Sequence, residues 1–224
     1  MNILVKFPTR GRPDLFFNTL DIYYKQASVF HKMHFLVSID NNDPYMNTDK
    51  VKAKLTTYVN LSFHLGDSKN KIDAVNRDMN FAPDYDIILL ASDDMIPQVH
   101  GYDEIIRKNM QEHYPNTDGI LFFNDGYRGK DLNTLCILGK KYYQRFNYIY
   151  NPEYLSLFAD NEFMDLGWML NKQTYFDDVI IRHEHPEHGF HMQKDRIHEL
   201  NEIHYVTDLT VYRKRKANNF YYYI

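Results

Sequence analysis

Four short apolar runs, each closed by a polar or charged loop, constrain this chain more than any other feature. They are Ile3–Phe7, His34–Ile39, Leu61–His64 and Asp86–Ala91, and the segments between them have helical spacing. Leu15, Thr19, Ile22 and Tyr23 place a helix after the first run, opened by Asp14 and reaching about Ser28. Shorter helices are expected over Thr48–Tyr58 and from Lys69 to about Phe81. Alternating strands and helices specify an α/β fold, a mostly parallel central sheet with helices on its faces. Such sheets bind ligands beyond the carboxyl ends of their strands. Those ends read PTRGR, DNND, HLGD and SDD. Cations and carboxylates together suit an anionic ligand held partly through a metal ion.

The second half is less regular. Helices are expected over Tyr102–His113, Phe158–Asn171 and Asp195–Thr207, and strands over Gly119–Asn124, Leu135–Leu138 and Val179–His183. No repeat, low-complexity tract or linker divides the chain, so one domain over 1–224 is expected. Its ligand-binding half spans about 1–118 and its second half about 119–224. A chain of 224 residues buries roughly 70–75% of its unfolded surface, so it needs no covalent staples. Cys136 is the single cysteine, which excludes an internal disulfide or a multi-cysteine zinc site. A formal net charge of -4 argues against nucleic-acid binding by bulk charge. The N-terminus lacks the apolar core of a signal peptide. No run approaches the roughly 20 apolar residues of a membrane span. A cytoplasmic setting is the expectation.

Several clusters carry chemistry. Asp93 and Asp94 end the fourth run, where adjacent carboxylates are costly unless solvated or neutralised; Mg²⁺ and Mn²⁺ favour such oxygens and bridge to phosphates. Thr9, Arg10 and Arg12 sit in a loop stiffened by Pro8, Gly11 and Pro13, where guanidinium groups can pair with phosphate. Asp40 ends the second run and can accept hydrogen bonds from a base or ribose. Lys71 and Asn76 share a helix without sharing a stripe. Asp160 and Glu162 flank apolar and aromatic residues, where an acid of raised pKa can act as a general base. His183 and His185 share a face if their strand continues, and either completes a metal shell begun by the aspartates. Arg213–Lys216 precede an aromatic tail, a combination compatible with phosphate capture, a membrane surface or single-stranded nucleic acid. Tyr127, Tyr154, Phe158 and Trp168 are candidate sugar-stacking rings. Each cluster also has an ordinary reading as a turn, cap or solvated surface.

Taken in order, the PTR loop, Asp40, KNKIDAVN, SDD, ADNEF and HEH resemble the GT-A glycosyltransferases, in particular family 2-like enzymes. The resemblance implies a Rossmann-like GT-A domain that moves a sugar from a nucleoside-diphosphate sugar, with UDP favoured, to an acceptor hydroxyl with inversion. It implies nucleotide contacts from Pro8, Thr9, Arg10 and Asp40, and Arg12, Lys71 and Asp93 are further candidates for binding the donor. It implies Mn²⁺ or Mg²⁺ on Asp94 and Asp93, a base at Asp160 with Glu162 second, and Arg215 beside the departing diphosphate. Ser92 departs from the family's DXD pattern by replacing its first carboxylate, which makes His183 or His185 a supplementary ligand. The acceptor stays open: a glycan, a lipid-linked sugar, a protein or modified DNA. A sugar-1-phosphate nucleotidyltransferase and a non-catalytic nucleotide-sugar or carbohydrate-binding protein are the alternatives. The first loop lacks the long Gly-rich run of a triphosphate cradle.

Overall fold

A computed structural model describes residues 1–184 and 196–222. Its centre is a seven-stranded sheet. The strands are β1 (Ile3–Thr9), β2 (Met33–Asp40), β3 (Leu61–Gly66), β4 (Ile87–Leu90), β6 (Ile120–Phe123), β7 (Ile137–Gly139) and β8 (Gln173–Phe176), in the order β3-β2-β1-β4-β7-β6-β8. Only β7 runs against the others, pairing antiparallel with both β4 and β6. The sheet is thus mostly parallel, as the alternation predicts. A separate two-stranded ribbon joins β5 (Met95–Pro97) to β9 (Ile181–His183).

The pleat sorts alternate residues onto opposite faces. Ile3, Val5 and Phe7 of β1 join Val37 and Leu89 on one face, packed with Phe16, Leu20 and Tyr23 of α1 (Pro13–Gln26) and Ile106 and Met110 of α4 (Tyr102–His113). Leu4, Leu36, Ile88 and Leu90 turn to the other face. There they meet Ile72 and Val75 of α3 (Lys71–Asn76), Tyr142 of α5 (Lys140–Tyr143) and Phe163 of α6 (Ala159–Met169). Short α2 (Asp49–Leu55) lies between β2 and β3, capped by the Thr48 hydroxyl. Many aromatic residues are buried in the core: Phe7 stands edge-on to Phe16, as does Tyr23 to Tyr102.

Three expectations are corrected. Asp14 does not cap α1; the helix starts on Pro13, whose missing N–H costs nothing at that position. The helix expected to reach Phe81 stops at Asn76, because Arg77 is extended (ψ 166); Asp78 then adopts a left-handed backbone (φ 69) and a separate 3₁₀ turn follows. Finally, the last expected helix is two: α7 (Arg196–Glu202) and α8 (Tyr205–Ala217), the latter carrying the basic cluster. Among the described residues no helix is long and apolar enough to cross a membrane.

Candidate active site

The loops after β1 and β2 are tied together by side chains. Arg10 reaches across to the Asp40 carboxylate and donates to Asn42 Oδ1 at 2.9 Å. The Gly11 N–H donates to Asp43 Oδ2 at 2.7 Å. Asp40 is buried at the last position of β2, with its other oxygen 3.6 Å from Arg77. Thr9 is buried beside it in the ladder, opposite Ile39, and its hydroxyl meets no hydrogen-bond partner among the described residues. Pro8 is accommodated within β1 opposite Ser38. The four residues Pro8, Thr9, Arg10 and Asp40 therefore share one end of the sheet.

The two aspartates after β4 diverge. Asp93 pairs with Arg12 at 3.4 Å, while its carbonyl accepts the Thr19 hydroxyl at 2.7 Å. Asp94 is buried; one carboxylate oxygen accepts the Ser92 hydroxyl and the other lies 3.4 Å from His183 Nε2. The β5–β9 ribbon produces this contact, because Met95 is paired with His183 and the Glu184 N–H donates to the Asp94 carbonyl at 2.7 Å. Burial alone would raise the Asp94 pKa. The contacts of His183 and Ser92 and the charge of Lys71 overrule it, holding the carboxyl well below the usual range. Asp94 stays ionised and His183 points a ring nitrogen at it. That donor set, one carboxylate and one imidazole, could hold a hard divalent ion and would leave it to be completed by other oxygen ligands. No group of three acidic, histidine or cysteine side chains gathers among the described residues. His185 lies outside them, as do His188 and His191.

Lys71, exposed at the first turn of α3, acts electrostatically on both Asp94 and Asp160. Asp160 opens α6 and also feels His183, so Asp94, His183, Lys71 and Asp160 form one electrostatic neighbourhood. Burial raises the Asp160 carboxyl above the ordinary range, against the lowering influence of Lys71.

Glu162 and Arg215 are placed elsewhere. Expected as a second base and a diphosphate ligand, they instead bond to each other: Arg215 Nε donates to Glu162 Oε2 at 2.7 Å and Nη2 to Oε1 at 3.0 Å. Tyr154 OH and Asn151 Nδ2 complete the carboxylate's shell, and Glu153 takes the other Arg215 nitrogen. The pair fastens α8 beneath α6, and a carboxylate saturated by four donors has no oxygen left for an acceptor proton. Tyr154 is fully buried in this network, and Phe158 packs on Tyr205 and Tyr212. Of the four candidate sugar-stacking rings, Tyr127 and Trp168 are exposed.

Two supports hold the site from outside it, and only the first went unnoticed in the sequence. Asp208 of α8 is buried and accepts the N–H groups of Leu155, Ser156 and Leu157 at 2.7–3.0 Å, fixing the turn that launches Asp160. Asn76 accepts the N–H groups of Ile149 and Tyr150 and donates to the Tyr150 carbonyl. Asp208 carries no sequence signal beyond being a polar residue among apolar ones, whereas Asn76 closes the KNKIDAVN segment.

No family model matches the sequence, and no curated protein matches it either. Solved structures do. The mannosyltransferase PcManGT from Pyrobaculum calidifontis, in complex with GDP-Man and Mn²⁺, superposes with a TM-score of 0.64 at 16% identity, covering 85% of this chain and 59% of that one. TarS 1–349 from S. aureus in complex with UDP-GlcNAc gives 0.65 at 14% identity, covering 88% and 60%. The chain thus spans about three fifths of the length of both neighbours. The likeness fixes the fold as that of GT-A-type glycosyltransferases.

Proposed function

We propose that the chain is a metal-dependent glycosyltransferase that uses a nucleoside-diphosphate sugar, with a UDP-sugar favoured, and inverts the anomeric centre. The observation that carries this reading is the convergence of the Asp94–His183 pair, Lys71 and Asp160 at the carboxyl ends of the sheet. The solved neighbours, one with GDP-Man and Mn²⁺ and one with UDP-GlcNAc, support the choice of ligand class.

In this reading Asp94 and His183 hold Mn²⁺ or Mg²⁺, with His185 a further candidate. The ion, when bound, neutralises charge on the diphosphate as the sugar leaves. Thr9, Arg10 and Asp40 receive the nucleoside, with Pro8 shaping the loop. Arg12 and Asp93 brace that loop against the metal-site strand, and Lys71 faces the diphosphate. Asp160 takes the proton from the acceptor hydroxyl as its oxygen bonds to the anomeric carbon. The bond from that carbon to the diphosphate breaks, and the nucleoside diphosphate departs with the electron pair. The raised pKa of Asp160 makes it a stronger base than an exposed aspartate. Residues 1–118 supply the donor contacts apart from His183, and 119–224 the base and the acceptor side.

Thermal shift and turnover with a panel of nucleotide sugars, with and without Mn²⁺, test the reading. A ligand that binds only the folded state raises apparent stability. Metal-dependent stabilisation by one donor, followed by release of its nucleoside diphosphate, is the expected result. Release of pyrophosphate from a nucleoside triphosphate and a sugar phosphate would instead assign a nucleotidyltransferase.

A further inference from the structure

Beneath Asp40 lies a chain of buried polar groups that no step above uses. Lys6, fully buried on β1, contacts the Ser38 hydroxyl; Ser38 donates to Asp78; Asp78 lies 3.3 Å from Arg77 Nη1. Arg77 closes the series. Its Nη2 donates to the Ile39 carbonyl at 2.7 Å and sits 3.6 Å from Asp40 Oδ1. A fully buried lysine and two largely buried acids are expensive to maintain in a sheet interior. Here they converge on a single carboxylate at the strand end.

Two features of the backbone serve this arrangement. Arg77 is extended and ends the helix, and Asp78 then takes a left-handed conformation (φ 69) with its carboxylate accepting from Ser38 of β2. Gly66, the ladder partner of Asp40, has no side chain where the Arg77 guanidinium passes; a Cβ there would collide with Nη1. The end of β3 is thus cut away to admit the arginine under the end of β2.

We infer that Arg77 is a positioning residue for the nucleoside end of the donor. It holds Asp40 from below while Arg10 holds it from the solvent side, so the carboxylate presents a fixed acceptor edge to the nucleoside. The Lys6–Ser38–Asp78 series fixes Arg77 in turn. The inference rests on the proposed nucleotide-binding role of Asp40.

Its test uses Arg77→Met, Arg77→Lys and Gly66→Ala in the full chain, with binding of UDP and GDP followed by calorimetry and donor kinetics followed under Mn²⁺. Arg77→Met is expected to raise the donor KM and the nucleotide Kd roughly tenfold with kcat within about twofold, the signature of lost binding shared by ground and transition states. The discrimination between UDP and GDP should shrink as well. Arg77→Lys, which keeps the charge but not the two-pronged contact, should recover part of the loss. Gly66→Ala displaces the guanidinium without removing it and should reproduce the Arg77→Met effect, while adding little to Arg77→Met itself. Gly66→Ala carries the test alone if Arg77→Met does not fold. Unchanged nucleotide affinity and base discrimination in these variants overturns the inference, as does a fall in kcat at unchanged KM. A native chain that binds neither UDP nor GDP overturns the underlying nucleotide-site reading instead.

Discussion

Asp94 Oδ2 stands 3.4 Å from His183 Nε2 because the two residues border an antiparallel ribbon, β5–β9, that lies outside the main sheet. The ribbon brings a carboxylate from the first half and an imidazole from the second to one point.

Replacing Asp94 should therefore do more than replacing its neighbour. Asp94→Asn is expected to lower turnover by roughly 10²–10³-fold, the scale of losing one preorganised electrostatic group, and to weaken the Mn²⁺ requirement. Asp93→Asn, which severs a contact with Arg12 rather than with His183, should cost less and leave the metal titration near native. Steady-state rates across a Mn²⁺ series separate the two, and equal effects would refute the divergence of the aspartates.

Asp160→Asn should reduce kcat by roughly 10²–10⁴-fold, the usual span for a general base, with donor KM nearly unchanged. The pH profile follows from the sign of the shift. A base must be ionised to act, and the Asp160 carboxyl is raised, so the acid limb of kcat/KM should lie above that of an ordinary aspartate. Lys71 lowers this pKa; Lys71→Met should move the limb to higher pH still. A limb that stays in place would remove Lys71 from the neighbourhood of the base.

Arg215→Met tests the reassignment of the Arg215–Glu162 pair. Leaving Glu162 buried without its cation should cost roughly 3–5 kcal/mol of stability, a typical penalty for orphaning one member of a buried pair. Urea denaturation would read it, and the double variant with Glu162→Gln should recover part. Turnover per folded molecule is expected to stay close to native; a large fall in kcat would return Arg215 to the diphosphate.

The fold was legible in the sequence where one run of residues determines one element. β1 to β4, α2 and α4 follow from apolar runs, caps and period, and so does the polar character of the strand ends. What was not legible depends on distant partners. Glu162 and Arg215 look like a base and a phosphate ligand until α8 folds back on α6. β5 has three residues and is a strand only because β9 lies against it. Nothing local in NRDM announces that Arg77 is extended, ending the helix, or that Asp78 turns left-handed after it.

Lys6 offers a check on the buried series under Asp40. Burial pushes its ammonium down to about 7 from 10.5, against the attraction of Asp78. Between those values the unfolded chain holds a proton that the folded chain has released, so this group makes stability rise with pH across that window. Lys6→Met removes the effect. Its stability relative to native should therefore be greatest below pH 7 and decline toward pH 10, as measured by denaturant titration at a series of pH values. A pH-independent difference would mean that Lys6 is not buried in its charged form.

The insertion of β7 between β4 and β6 has a consequence for how the molecule comes into being. The strand that completes the middle of the sheet is made long after its β4 neighbour, and the histidine that meets Asp94 is made later again. Non-local pairings of this kind close slowly, after most of the chain exists. During synthesis, the loops after β1 and β2 leave the ribosome early, yet Asp94 waits for its partner until β9 has been made. Premature chain termination upstream of β9 would leave the loops after β1 and β2 without the Asp94–His183 pair.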